Sequence, residues 1–321
     1  MKKQFLTYVS GLFILALTAM TSCISSQSFF PVKGNGMAVD KNFKISGFNE
    51  IEVSGGFDVI LSQGSDEGVV LTAQENLFEF IHVEVAQGVL KIYTDGNIMP
   101  TKSMKAEIAF KNINHVDVSG GGDVSATADI KAEDLVFEIS GGGDLFTTVN
   151  TGNLGCRLNG GGDARINGKS NKVDVNMSGG GDLESLISAS VIFCDLSGGG
   201  DLTLKCDEEA SEVNIDLTGG GDADVSIQAQ KVKCSLSGGG NAGFSGKATD
   251  LEVTLSGGGD LNASDFETTT ATFQANGGSD IHLRVSRELK GNISGGGDVY
   301  YYGSPEIVTV DARGGSEVHK Q

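Results

Sequence analysis

Residues 178–182 read Ser-Gly-Gly-Gly-Asp, and the same five residues return at 197–201. From Asp123 to Glu317 the steps between successive motifs are 21, 19, 19, 19, 21, 19, 19, 20, 18 and 19 residues. The last copy, 313–317, is degenerate, and an early copy, 54–58, stands apart from the series. A period held this closely is the signature of a repeat protein. The motif or a close variant ends at Asp123, Asp144, Asp163, Asp182, Asp201, Asp222, Asn241, Asp260, Asp280 and Asp298.

Apolar residues recur nine, seven and five positions before the last residue of each motif. Polar residues such as Asp174 and Asn176 lie between them, which is the period-2 alternation of a strand with one buried face. One repeat cannot bury that face alone, but stacked repeats can, with equivalent residues about 4.8 Å apart. The position seven before the motif end holds Phe137, Cys156, Val175, Cys194, Ile215, Cys234, Val253 and Phe273.

The repeat therefore predicts an all-β protein, a parallel β-helix with about 10 coils of 18–21 residues. The crossover preference of parallel strands favours a right-handed coil. The three glycines would form a corner of each coil, where φ > 0 and close backbone approach are needed. Leucine-rich repeats have a similar period, but they need a helical return that this sequence does not encode.

The N-terminus has the pattern of a lipoprotein signal peptide. Lys2 and Lys3 precede an apolar segment, and Met20-Thr-Ser-Cys23 resembles a lipobox in which Cys23 would be lipidated. Three strands, 69–73, 81–85 and 89–93, are expected before the repeats, with a turn at Gln87-Gly88. The predicted organisation is a signal peptide (1–22), a tether (23–39), an N-terminal antiparallel β cap with first coils (40–114) and the repeat β-helix (115–321).

The Asp column has two interpretations. Each carboxylate could accept backbone N–H bonds at its glycine corner, as an Asx-type cap, and Asn241 could do the same. Alternatively, stacked carboxylates could hold Ca²⁺ ions, since hard cations prefer oxygen ligands. The candidates for such a calcium column are Asp144, Asp163, Asp182, Asp201 and Asp222; no other metal or cofactor is indicated.

Few residues suggest catalysis. The Ser, Thr or Asn four positions before each motif end has no accompanying His, so a hydroxyl ladder is expected rather than a nucleophile. Three cysteines lie on alternate coils about 9.6 Å apart, too far for a disulfide, and are expected to be buried thiols. Basic and imidazole groups are scattered, and Tyr300–Tyr302 could either stack on sugar rings or close the core. The scattered residues are Arg157, Arg165, Lys231, Lys233, His82, His115, His282 and His319.

Several segments outside the bare repeat carry a family resemblance. They are Phe48-Asn-Glu-Ile-Glu-Val-Ser-Gly-Gly-Phe-Asp-Val-Ile-Leu61, Ala73-Gln-Glu-Asn-Leu77, Gly88-Val-Leu-Lys-Ile92 and Val299-Tyr-Tyr-Tyr-Gly-Ser-Pro305. With the coils between them, they resemble bacterial putative auto-transporter adhesins with a head GIN domain, which are exported lipoproteins. The resemblance implies a β-helical, adhesin-like surface protein and supplies no catalytic residues.

The net charge limits the partners of the chain. It is −19 for 321 residues, and removal of residues 1–22 takes away Lys2 and Lys3 and leaves −21. Such a surface repels nucleic acid. We expect a non-enzymatic lipoprotein of the outer membrane, facing the periplasm or the cell surface, whose long β-faces bind a glycan or a protein. The alternatives are a carbohydrate-active β-helix, which binds or cleaves glycans, and a calcium-stabilised scaffold.

Overall fold

The computed structural model describes residues 31–321. Their only helical element is a short 3-10 turn, Glu75–Leu77, and no helix among them is long and apolar enough to cross a membrane. The strands are β1 (Val32–Lys33), β2 (Ala38–Phe43), β3 (Glu50–Ser54), β4 (Phe57–Gln63), β5 (Gly68–Gln74), β6 (Ile81–Ala86), β7 (Val89–Thr94), β8 (Ile98–Met99), β9 (Met104–Phe110), β10 (His115–Ser119), β11 (Val124–Ala126), β12 (Ile130–Ser140), β13 (Leu145–Gly160), β14 (Ala164–Gly179), β15 (Leu183–Gly198), β16 (Leu202–Gly219), β17 (Ala223–Gly238), β18 (Ala242–Gly257), β19 (Leu261–Gly277), β20 (Ile281–Gly295), β21 (Val299–Tyr302), β22 (Ile307–Arg313) and β23 (Val318–Lys320).

Each strand from β13 to β19 is one coil, and each pairs in parallel with the next coil. The register follows the sequence repeat, so that Val173 of β14 lies beside Ile192 of β15 and Gly179 lies beside Gly198. The predicted parallel β-helix is confirmed, with about 11 turns.

The core is a stack of inward-facing columns, as the alternation predicts. In one coil Val173, Val175 and Met177 point inward, and Asp174 and Asn176 point outward. Burial of each apolar side chain stabilises the fold by about 1.5–3 kcal/mol. A single coil is too thin to bury these side chains alone, so this stabilisation arises only when coils stack. The column seven positions before each motif end is buried throughout: Phe137, Cys156, Val175, Cys194, Ile215, Cys234, Val253 and Phe273.

The first coil begins earlier than the regular series suggests. Ser54 of the early motif pairs in register with Ser119, and β4 pairs in parallel with β11. The segment between these two coils carries the predicted strands. β6 and β7 form an antiparallel hairpin through Gln87 and Gly88, both at positive φ, while β5 pairs antiparallel with β2 and β9. β7 and β9 themselves pair in parallel with β3 and β4 of the first coil, and the antiparallel strands β5 and β6 lie beside them, so the N-terminal end of the stack is covered by a mixed set of strands.

Longer coils absorb their extra residues at one place. The register between β16 and β17 shifts between Cys206 and Glu209, so that Asp207 and Glu208 bulge from the coil. A similar shift separates β18 from β19 near Ser245. Both bulges lie on the part of the coil about four to nine residues after the Asp or Asn that ends the motif, which we call the return face.

Candidate functional site

The first glycine of each regular corner has a conformation and a spacing that only glycine satisfies. Gly179 has φ +127°, and a Cβ added there would lie 1.6 Å from the carbonyl oxygen of Gly160 on the preceding coil. Gly198 repeats this geometry with φ +132° and a distance of 1.7 Å to the oxygen of Gly179. The backbones of adjacent coils therefore stack directly at this corner, with no room for a side chain.

The other two glycines are constrained differently. A Cβ on the middle residue, Gly180, would meet nothing within 4 Å, whereas one on the third, Gly181, would lie 1.9 Å from the oxygen of Gly162. The chain itself replaces the third glycine by Ser279, which is buried and directs its hydroxyl toward the carbonyl oxygen of Gly257 at 3.3 Å. The middle position is thus open to substitution.

The Asp column forms a continuous hydrogen-bond ladder. The backbone N–H of Asp182 donates to Oδ1 of Asp163 at 2.9 Å, and that of Asp201 donates to Oδ1 of Asp182 at 2.9 Å. Asn241 takes part in the same way, since its Oδ1 accepts from the N–H of Asp260 at 2.9 Å. The donor is therefore the next residue of the column rather than a corner glycine, so each side chain ties one coil to the next. The ladder runs from Asp58 through Asp123, Asp144, Asp163, Asp182, Asp201, Asp222, Asn241, Asp260, Asp280 and Asp298 to Glu317.

The calcium interpretation of this column remains a prediction. Within residues 31–321 no group of three or more His, Cys, Asp or Glu side chains has the arrangement of a metal site. In the five candidates (Asp144, Asp163, Asp182, Asp201, Asp222), Oδ1 already accepts a backbone hydrogen bond. The second carboxylate oxygen of each accepts no such backbone bond and would be the more available ligand for a cation.

The hydroxyl and thiol columns lie where the repeat places them. Ser178 donates its hydroxyl hydrogen to Oδ1 of Asn159 at 2.8 Å, and no His belongs to this outward column. Cys156, Cys194 and Cys234 are free thiols in the core, separated by Val175 and Ile215. Burial raises the pKa of Cys194 and Cys234 to about 12, which makes these thiols poor nucleophiles.

The four basic residues considered for catalysis are each paired with a glutamate of a neighbouring coil. Arg157 Nη1 lies 2.7 Å from Glu138 Oε1, and Arg165 Nη2 lies 2.5 Å from Glu184 Oε2. Lys231 and Lys233 have looser pairs, at 3.8 Å and 3.9 Å, with Glu252 and Glu212. These side chains neutralise one another on the outer faces and do not converge on one site.

One cluster escaped the sequence reasoning. His282, Tyr300 and His319 stack ring on ring, with centroids 4.6 Å and 5.0 Å apart. Each stands two residues after a member of the Asp column, and that shared offset could have predicted the stack. Tyr301 packs partly buried against the core and Tyr302 lies under Arg284, so the three tyrosines have separate roles.

A groove with a volume of about 670 Å³ lies on the return face. It crosses the coils from β16 to the segment after β21, and its floor contains the small inward residues Ala229 and Ala248. The volume is within the range of ordinary ligand pockets. The groove is lined by Glu209, Ala229, Lys247, Ala248, Thr249, Glu267, Thr268, Thr269, Arg284, Val285, Ser286, Gly303 and Ser304.

The charged groups of this groove are free of ion pairs. Glu209, Lys247, Glu267 and Arg284 have no oppositely charged group within 4.0 Å among residues 31–321. Arg284 is held in place from two sides, since its Nε donates to the Ser264 carbonyl oxygen at 2.5 Å and its guanidinium lies 5.5 Å from the ring centre of Tyr302. The groove thus presents charged groups that form no ion pair, whereas its Thr268 and Ser286 hydroxyls already donate to backbone carbonyl oxygens.

The predicted lipidation site, Cys23, lies outside the described residues.

A comparison with protein families identifies one family for this chain. The sequence pattern described as "Putative auto-transporter adhesin, head GIN domain" matches residues 47–210 and 188–305. A "putative lipid binding protein" from Parabacteroides distasonis has a similar structure, with 22% identity, a TM-score of 0.41, and coverage of 91% of this chain and 100% of that one. A "putative adhesin" from Parabacteroides merdae has 18% identity and a TM-score of 0.42, and the match covers 90% of this chain and 98% of that one. A "putative adhesin" from Bacteroides fragilis has 16% identity and a TM-score of 0.33, with coverage of 90% of this chain and 100% of that one. No curated protein matches.

Proposed function

Because the chain belongs to the putative auto-transporter adhesin, head GIN domain family, we propose that it is a non-enzymatic lipoprotein of the outer membrane that binds a glycan chain. Family membership indicates a protein of the cell envelope or surface. The lipid anchor at Cys23, the outer-membrane location and the glycan ligand are proposed beyond what family membership indicates.

The groove on the return face is the observation that carries the glycan proposal. A sugar chain is recognised through many hydroxyl groups, which need donors and acceptors at regular intervals along its length. Lys247, Glu267 and Arg284 offer these on successive coils, about 4.8 Å apart. A ligand that lies across several coils would contact all three at once. The long outer faces, by contrast, hold basic residues already paired with glutamates.

The second part of the proposal is that the protein binds the glycan without cleaving it. Cleavage of a polysaccharide needs paired carboxylates with separated pKa values, or a carboxylate with a basic group, around one bond. In the groove, Glu209 and Glu267 lie at equivalent positions of coils three steps apart, about 14 Å. This separation exceeds the span of a glycosidase carboxylate pair, which argues against hydrolysis by the groove carboxylates. Glu267 does lie beside Lys247 and Arg284 on adjacent coils, so cleavage by a carboxylate with a basic group is the alternative that the reducing-end assay below tests.

The test compares two double variants of equal charge change in a polysaccharide-binding panel read by calorimetry. Lys247→Ala with Arg284→Ala removes both groove cations, and we expect binding to weaken by about a hundredfold, one factor of ten for each lost contact. Lys231→Ala with Lys233→Ala is the matched control on another face and should bind like the wild type. Equal loss in both variants, or binding that neither variant changes, would exclude the groove. Release of reducing ends from any bound polymer would refute the non-enzymatic assignment.

The anchor is tested separately. Metabolic labelling with palmitate should label the wild-type protein in its host, and Cys23→Ala should abolish the label and release the protein from the membrane fraction. An unlabelled wild-type protein would show that the N-terminal segment is an ordinary secretory signal.

A further inference from the structure

The C-terminal end of the solenoid differs from its N-terminal end. At the N-terminal end, β3 has a partner on both sides, β7 and β10, and β4 likewise lies between β9 and β11. At the C-terminal end, β22 pairs with β20 alone and β23 pairs with β21 alone among the described strands. The backbone N–H and C=O groups along the outer edge of β22 therefore lack strand partners within residues 31–321.

The side chains of this last coil are also incompletely covered. Ile307 and Val308 are 47% and 44% exposed. Val308 continues the buried column of Leu289, and Val310 and Ala312 are only partly buried against the core. An edge strand with exposed apolar residues is a template for pairing with another strand.

We propose that β22 pairs with β22 of a second copy of this chain, antiparallel and related by a two-fold axis at Val310, to give an end-to-end dimer. Such an interface is isologous, so the strand must be complementary to itself. Around Val310, Val308 faces Ala312 of the other copy and Val310 faces itself. All three inward positions then meet apolar residues, and the two cores become continuous.

Charge also favours the second copy at this end rather than along the faces. The chain carries −19 overall, but residues 303–321 hold three acidic residues and two basic ones, a local net charge of −1. Arg313 pairs with Asp311 in the same strand at 2.5 Å, which neutralises the outward side of β22. Two strongly acidic molecules would therefore meet with the least repulsion here.

The contact is tested by cross-linking the exported full-length protein in its envelope, where disulfides form. On the proposed axis the two Val310 Cα atoms would lie about 4.5–5.5 Å apart, within disulfide range. Val310→Cys should give a dimer on non-reducing electrophoresis that disappears on reduction. The wild type and Leu186→Cys, which lies in mid-solenoid and is more exposed (49%) than the partly buried Val310, should run as monomers on the same gel.

A second variant keeps the inference falsifiable if Val310→Cys misfolds. Val308→Lys places a charge in the contact twice, once on each side of the axis, and should weaken self-association of the purified protein in detergent about a hundredfold by sedimentation velocity. Leu186→Lys is its matched control and should sediment as the wild type does. A wild-type protein that sediments as a monomer, or a Val310→Cys protein with native circular dichroism and no cross-link, would overturn the proposal. Dimerisation and glycan binding are read separately, so either can fail alone.

Discussion

The glycine corner allows a sharp test, because two adjacent glycines of one motif should respond in opposite directions to the same substitution. Gly179→Ala places a Cβ 1.6 Å from the carbonyl oxygen of Gly160, whereas real Cβ contacts stay beyond 3.0 Å, so the coils must separate by about 1.4 Å. Gly180→Ala adds the same methyl group to open space.

The magnitude follows from what the separation breaks. Two corner hydrogen bonds, from the N–H of Gly180 to the oxygen of Gly160 at 3.3 Å and from the N–H of Gly199 to the oxygen of Gly179 at 3.0 Å, would be lost or stretched. Each contributes about 1 kcal/mol, and an alanine at φ +127° adds about 1–3 kcal/mol of backbone strain. We expect Gly179→Ala to lower the free energy of unfolding by about 3–5 kcal/mol. Gly180→Ala should raise it by about 0.4–1 kcal/mol, since it removes backbone freedom only from the unfolded chain.

Thermal unfolding followed by far-UV circular dichroism measures the difference. At about 2 °C per kcal/mol for a domain of this size, Gly179→Ala should melt about 6–10 °C below the wild type, and Gly180→Ala at or slightly above it. Equal shifts in melting temperature for the two variants would refute the claim that close backbone stacking is the reason why the first corner position requires glycine.

Three further predictions concern the ladder, the thiols and the core. Asp182→Ala leaves the N–H of Asp201 without its acceptor and should lower the free energy of unfolding, measured in urea, by about 1–3 kcal/mol. Asp182→Asn keeps an Oδ1 acceptor and should lower it much less. Equal losses of stability in the two variants would show that the charge of Asp182, not its hydrogen bond, stabilises the coil. Burial raises the pKa of Cys194 to about 12 and shields its sulfur from solvent, so the core thiols Cys156, Cys194 and Cys234 should not react with Ellman's reagent until the protein unfolds. Gly291→Ala would bring a Cβ within 2.5 Å of the buried Phe273 ring and should cost about 1–3 kcal/mol, against no loss for an alanine at the open Gly296.

The sequence was sufficient for the columns and the register because both depend on a short period. Val173, Val175 and Met177 are buried where the alternation predicts, and a 19-residue step places Gly179 beside Gly198. The same offset would also have paired Arg157 with Glu138, a salt bridge that reasoning within single repeats overlooked.

Features that join coils of unequal length could not be predicted in this way. Asp58 stands 65 residues before Asp123, far more than one repeat, so the sequence spacing does not show that the two are neighbours in the ladder. The groove residue Glu209 follows the Asp207-Glu208 bulge, and the spacing alone does not fix where such a bulge lies within a longer repeat. The donor to each Asp could not be predicted either, because every residue has a backbone N–H and the sequence does not show which one faces the carboxylate.

The Asp ladder makes every coil interchangeable at its boundaries. The column carboxylate of each coil accepts the backbone N–H of the following coil, and the N–H of that same Asp donates to the carboxylate of the preceding coil. A coil could therefore be duplicated or excised and the two cut surfaces would still match, which changes the length of the rod by about 4.8 Å each time. If Cys23 holds the base, the number of repeats works as a ruler that sets how far the C-terminal tip stands from the membrane.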